Sequence, residues 1–195
     1  MTDEQTYLFD VNGYLILEDI LKPDHCQRLI DAVHEAIATP SNQMPQGVGH
    51  ASEPDGSEFS LGDLTSIGPV FADLIDLTPV LDVLHTVIHH ELRLEISYTR
   101  VRRKGFKGLN LHGGGHWDGG GQDKNFMYRH FNGEIFAGNT VVEFNLTDVS
   151  AAEGGFVCVP GSHKANFGMP EAWRDVSSGQ FDPNLVRLVS CAVGS

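Results

Sequence analysis

Cysteines are scarce in this sequence, and their number and spacing limit the sites that they can form. Only three occur among 195 residues, far apart at Cys26, Cys158 and Cys191. An odd number of distant cysteines predicts neither a disulfide framework nor a pair of closely spaced zinc ligands. Free thiols are typical of a reducing compartment, so the sequence favours a cytoplasmic protein.

Basic residues are also in the minority. Thirteen Lys and Arg residues stand against 26 Asp and Glu residues, which gives a formal net charge of −13. Because such a surface repels phosphates and anionic lipids, we expect neither nucleic acid nor a membrane as a partner. No apolar run approaches the ~20 residues of a membrane-spanning helix. The acidic start, MTDEQTYLFD, does not have the pattern of a signal peptide.

The order of the sequence patterns predicts helices first and strands afterwards. Apolar residues spaced by three and four predict two helices, one starting at Asp24 and one opening at Thr78. Residues 14–17 read as an early strand, and the Pro- and Gly-rich segment 40–62 reads as a loop. Further strands are expected at four places: 92–103, 139–149, 155–160 and 185–193.

These elements favour one α+β domain over residues 1–195. Its body is expected to be mainly β, with helices packed on the outside. The 22 glycines agree with a chain of many turns. A sheet-on-sheet sandwich or jelly roll is the simplest architecture for this order of elements.

The densest cluster of chemically active side chains is the segment 111–121, LHGGGHWDGGG. The spacing of His116 and Asp118 places both side chains on one face of an extended segment. An imidazole nitrogen and a carboxylate oxygen there can occupy two adjacent positions on a metal, as in a 2-His-1-carboxylate site. The same residues are equally compatible with a polar turn whose histidines bond the backbone. His112 is a competing metal ligand.

A longer motif follows in the second half of the chain. The order of GYLIL, His-x-Asp in a glycine-rich loop, LTDV, GGF and PGSHK resembles the phytanoyl-CoA dioxygenase family. The strongest match is LTDVSAAEGGFVCVPGSHKANF, and the resemblance extends from about Phe9 to the end of the chain. It implies a double-stranded β-helix that binds Fe(II) through His-x-Asp and a distal histidine. An arginine would pair with the carboxylate of 2-oxoglutarate.

The resemblance assigns roles to particular residues. His116 and Asp118 match the first two metal ligands, and His112 remains the alternative. Tyr98 and Arg100, on the strand before this loop, are candidates for holding 2-oxoglutarate, although they could equally be ordinary sheet side chains. His163, in the PGSHK turn, is expected to bond the backbone rather than a metal.

The distal histidine and arginine of the family should follow the PGSHK turn. The sequence has no histidine after His163. We therefore expect a chain truncated before the last strands of the β-helix, with unpaired strand edges that favour self-association.

The expected function is a non-haem Fe(II)/2-oxoglutarate-dependent oxygenase that hydroxylates a C–H bond of a small molecule. Two alternatives remain open. One is a catalytically inactive jelly-roll module that binds a small ligand or a partner. The other is a cupin-like metalloprotein that uses His112, His116 and a carboxylate, either Asp118 or Glu143.

Overall fold

A computed structural model of the chain describes residues 1–89, 91–113, 127–149, 155–175, 180–189 and 191–195. Its α-helices and β-strands are α1 Asp3–Asn12, α2 Pro23–Ala38, β1 His50–Ser52, β2 Glu58–Gly62, α3 Leu64–Ile67, α4 Pro69–Ala72, α5 Thr78–Ile88, β3 Tyr98–Arg102, β4 Tyr128–Phe131, β5 Glu134–Ala137, β6 Phe156–Cys158 and β7 Arg187–Val189. Short 3₁₀ turns lie at Ser41–Gln43, Ser162–Lys164, Glu171–Trp173 and Pro183–Leu185.

The strands of the described residues form three small antiparallel sheets. One has the order β1-β2-β3, and the others are the pairs β4-β5 and β6-β7. This mixture of helices and antiparallel sheets agrees with the α+β fold class that the sequence predicts. Within the described residues, no helix has the length and apolar character needed to span a membrane.

The helix predicted from Asp24 is confirmed as α2, with one change at its start. Pro23 is already helical, so Asp24 lies in the first turn rather than at the cap. Four side chains of α2, Cys26, Leu29, Val33 and Ala36, are buried in the larger core, together with residues of β2, α3 and α4. The second predicted helix is confirmed as α5.

The prediction for the N-terminus was wrong. Residues 14–17 form no strand, and the chain begins instead with helix α1. The Thr2 hydroxyl accepts a hydrogen bond from the Gln5 backbone, and the Gln5 side chain accepts one from Thr2, which is a complete capping box. Gly13 ends the helix at φ 82°, a conformation that glycine adopts at little cost.

The loop prediction for residues 40–62 was wrong in its second half. Residues 50–62 form the hairpin of β1 and β2, and β2 is the central strand of its sheet. The register with β3 places Glu58 opposite Arg102, and Ser60 opposite Arg100. This pairing brings a carboxylate among the arginines of β3.

A second hairpin, β4–β5, was not predicted. Asn132 (φ 53°) and Gly133 (φ 83°) join its strands, as the two central residues of a type I′ turn require. The hairpin packs through Ile135 and Ala137 against Phe9 of α1 and Val87 of α5. This smaller core therefore fixes α1 beside β4.

Among the residues that the structure describes, the strands predicted for the rest of the chain are shorter than expected. Only β3 forms within 92–103, and β6 and β7 form within 155–160 and 185–193. The segment 139–149 contains no strand, and its last residue, Val149, forms a single antiparallel bridge with Cys191.

Candidate functional site

The first candidate residues, Tyr98 and Arg100, lie on β3. Arg100 Nη1 donates to both carboxylate oxygens of Glu58, at 3.0 Å each, and Arg102 Nε donates to one of them at 3.1 Å. Arg100 is thus engaged by a carboxylate of the protein itself. Its predicted role with 2-oxoglutarate stays a prediction.

Glu58 is the buried carboxylate at the centre of this cluster. Its residue is only 8% exposed. Burial acts to raise the pKa of Glu58, but the hydrogen bonds and charges of Arg100 and Arg102 outweigh it and lower the pKa overall. Glu58 is therefore held as an anion between two cations.

Tyr98 is half exposed at the start of β3. The guanidinium carbon of Arg100 lies 5.5 Å from the centre of its ring, within the range of a cation–π contact. Tyr98 and Arg100 are thus neighbours. This contact agrees with a shared binding role and equally with ordinary packing of sheet side chains.

The predicted metal ligands His116 and Asp118 lie outside the described residues, so their role stays a prediction. His112 lies within the described residues, and its side chain is exposed. Its Nδ1 atom lies 2.7 Å from the carbonyl oxygen of Asn110. A carbonyl only accepts, so Nδ1 donates to it, and in the neutral ring the lone pair is then on Nε2. Metal-binding histidines commonly have this arrangement.

The segment that leads into the glycine-rich loop is tied to a distant part of the chain. The backbone N–H of Leu111 donates to the carbonyl oxygen of Arg174 at 2.8 Å. Within the described ranges, no group of three His, Cys, Asp or Glu residues is arranged to hold a metal. Glu143, the alternative carboxylate of a cupin-like site, is exposed.

A polar cluster that the sequence did not predict surrounds Asp10 on α1. The Tyr128 hydroxyl donates to one carboxylate oxygen of Asp10, and Lys164 Nζ lies 2.8 Å from the other. His163 Nε2 lies 3.0 Å from the backbone carbonyl of Asp10. The expectation that His163 bonds the backbone is confirmed. Asp10 thus joins α1, β4 and the PGSHK turn.

The pKa values of this cluster are shifted by its contacts. Hydrogen bonds from Lys164 and then Tyr128 lower the pKa of Asp10. Burial, followed by the hydrogen bond to Asp10, raises the pKa of Tyr128 above its usual range. Asp10 is thus an anion and Tyr128 a neutral donor over the physiological pH range.

An open cleft of about 600 Å³ lies over this cluster. Its lining comes from α1, from the β4–β5 hairpin and from the PGSHK turn, and includes Asp10, Tyr128 and Lys164. The sequence contains signals for the two elements that carry this cluster. The Thr2–Gln5 capping box indicates helix α1, and Asn132-Gly133 indicates the β4–β5 hairpin.

Comparison with known proteins identifies the family. The family model described as "Phytanoyl-CoA dioxygenase (PhyH)" matches residues 9–182, which is most of the chain. No curated protein matches the sequence significantly.

Solved structures of HygX from Streptomyces hygroscopicus share the fold. The structure with nickel, 2-oxoglutarate and hygromycin B bound has a TM-score of 0.77 and 24% identity. The match covers 100% of this chain and 75% of that one. The structure with iron bound has a TM-score of 0.71, again at 24% identity, and the match covers 100% of this chain and 74% of that one.

These comparisons confirm the family and its cofactors as predicted from the motifs. Fe(II) and 2-oxoglutarate are the cofactors of the family, and iron and 2-oxoglutarate are among the groups bound in the HygX structures. The chain belongs to the phytanoyl-CoA dioxygenase family.

Proposed function

We propose that this protein is a non-haem Fe(II)/2-oxoglutarate-dependent oxygenase that hydroxylates a C–H bond of a small molecule. The observation that carries the proposal is the family match over residues 9–182. The fold shared with HygX supports it, because HygX has been solved with 2-oxoglutarate and a small molecule, hygromycin B, bound. The same fold supports a double-stranded β-helix as the architecture of the antiparallel sheets.

His116 and Asp118 are the proposed metal ligands. Imidazole nitrogen and carboxylate oxygen form the donor set that non-haem Fe(II) oxygenases use, so the residue types fit the metal. Bound Fe(II) supplies the redox chemistry by which O₂ and 2-oxoglutarate become succinate, CO₂ and the oxygen atom of the hydroxyl group. The protein positions the substrate and excludes water.

Titration of Fe(II) into the protein under anaerobic conditions tests the ligand assignment. We expect His116→Ala and Asp118→Ala each to weaken Fe(II) binding by more than the ~10–100-fold that loss of an outer partner costs. His34→Ala is the matched control, because His34 is an exposed histidine on α2. Unchanged Fe(II) binding in both ligand variants would contradict the assignment.

His112 supports a second candidate, the cupin-like metalloprotein. The Asn110 carbonyl fixes its tautomer so that Nε2 can bind a metal. If His112→Ala and His116→Ala both abolish binding, a site with both histidines is favoured. If His112→Ala binds Fe(II) normally, the site with His116 and Asp118 stands.

A binding module without turnover is the remaining alternative. It would bind a small ligand independently of metal and would release no succinate, whereas the oxygenase couples substrate oxidation to succinate release.

We also propose a cytoplasmic location, because Cys26, Cys158 and Cys191 are all free thiols, which suits a reducing compartment.

A further inference from the structure

The ring of His163 lies between α1 and β4. Its Nε2 contacts the carbonyl of Asp10, and the ring packs directly against Gly13, where even a Cβ atom would overlap with it. The rings of His163 and Tyr128 also form a T-shaped pair, with 4.6 Å between ring centres and 83° between ring planes. His163 therefore fills the junction where the helix, the hairpin and the PGSHK turn meet.

The contacts of His163 define its protonation state. The Asp10 carbonyl can only accept, so the proton is on Nε2 and Nδ1 carries a lone pair. Nδ1 is buried, and no described residue or backbone group donates to it or accepts from it. Protonation would place a second N–H at Nδ1, against Gly13, where no described acceptor receives it. Burying a donor without a partner is unfavourable, and burying a charged donor is more so.

The charged groups around the ring do not remove this cost. The carboxylate of Asp10, on α1, is already bound by Lys164 and Tyr128. Lys164, in the same turn as His163, adds a positive charge nearby. Tyr128, on β4, stays neutral because burial and then its bond to Asp10 raise its pKa.

We propose that His163 is an acid-sensitive latch that holds α1 against the β4–β5 hairpin and releases it when the ring is protonated. The cleft over Asp10 and Tyr128 would widen on release, because α1 forms one of its walls. The latch is independent of the proposed oxygenase activity, since it involves none of the predicted metal ligands.

The direction of the pH effect follows from the buried ring. Burial is the largest cause that lowers the pKa of His163 from its ordinary value of 6.5. The unfolded or released state therefore binds the proton more readily than the closed state does. The latch contributes fully to the stability of the closed state above pH 6.5, and this contribution is lost as the pH falls below that value.

Hydrogen exchange measured at several pH values, and corrected for the intrinsic exchange rate, tests the latch. We expect the amides of α1 to lose protection between pH 7.5 and 5.5 by up to about tenfold, because pH 5.5 is one unit below the ordinary pKa of 6.5 that the ring regains on release. In His163→Gln the side-chain amide still donates to Asp10 but cannot be protonated, so protection should be independent of pH. His130→Gln, at an exposed position of β4, is the matched control and should behave as the wild type does.

Nitrogen NMR of the wild-type imidazole rings gives a second readout that does not depend on the variants folding. The latch requires a proton on Nε2 and a titration midpoint below 6.5. A midpoint at or above 6.5, or the same loss of α1 protection in His163→Gln as in the wild type, would overturn the proposal.

Discussion

Replacing Glu58 with glutamine removes the negative charge that lies between Arg100 and Arg102. The side chain keeps its shape and one carbonyl oxygen, so the change tests charge rather than packing. In the wild type three hydrogen bonds of 3.0–3.1 Å converge on this carboxylate. Glu58→Gln leaves the guanidinium groups of Arg100 and Arg102 without the anion that both contact.

The size of the effect depends on how much water the partners retain. Removing one partner of a fully buried ion pair costs ~3–5 kcal/mol. The Glu58 side chain is 10% exposed, but those of Arg100 and Arg102 are 35% and 39% exposed. Because solvent screens the exposed guanidinium groups, the cost here should be about half of that. The free energy of unfolding should fall by ~2 kcal/mol.

Urea unfolding at pH 7 measures this difference, and Glu95→Gln is the matched control. The Arg93–Glu95 pair is largely exposed, at 81% and 67%, so the control should lose less than ~1 kcal/mol. Because the pKa of Glu58 is lowered in the folded protein, its contribution is present above its ordinary value of 4.5 and is lost as the pH falls below it. A loss no larger than that of Glu95→Gln, or a difference that does not shrink at acid pH, would refute this reasoning.

Three further substitutions give outcomes that the same unfolding assay can check. Tyr128→Phe deletes the hydroxyl that donates to the Asp10 carboxylate, and it should lower the free energy of unfolding by ~1–3 kcal/mol because that acceptor is charged. The control Tyr7→Phe changes an exposed ring of α1 and should leave the free energy of unfolding nearly unchanged. Gly133→Ala should cost ~1–2 kcal/mol because φ is 83°, whereas Gly68→Ala should cost less because its backbone is extended (φ 179°) and open. Leu29→Ala removes a side chain that is 1% exposed and should cost ~2–5 kcal/mol; a cost under ~1 kcal/mol would contradict its place in the core.

The sequence predicted the long amphipathic helices well, because their burial repeats with the helical period. In α2 the buried residues Cys26, Leu29 and Val33 follow one another at spacings of three and four, the spacing that predicted the helix. Helix α1 was missed because it buries only Phe9, so it has no apolar stripe. Its signal was the capping box at its start and the Asn12-Gly13 pair at its end, where Gly13 is the C-cap.

The short hairpins were harder to predict because their strands have three to five residues, too few for a clear alternation. The turn signals were nevertheless present, as Pro54-Asp55-Gly56 between β1 and β2 and as Asn132-Gly133 between β4 and β5. Partners from distant parts of the chain, such as Glu58 for Arg100, cannot be deduced from local patterns, because the register of the sheet brings them together.

The family and its cofactors were predicted from the motifs, whereas the contacts of individual candidate residues required the structure. His112 and His163 illustrate this difference. His112 lies in an irregular segment and contacts a backbone carbonyl through Nδ1, whereas His163 lies in a 3₁₀ turn and contacts one through Nε2. The position of the neighbouring carbonyl and the burial of the ring distinguish them.

The most direct test of the proposed oxygenase is the uncoupled formation of succinate from 2-oxoglutarate by the protein supplied with Fe(II), oxygen and ascorbate, which reduces the second oxygen atom to water when no substrate is present. We expect succinate to form with the wild type and with His34→Ala, and to be lost in His116→Ala and Asp118→Ala. Succinate formation that is equal in all four proteins, or absent from the wild type while the protein still binds 2-oxoglutarate, would contradict the account.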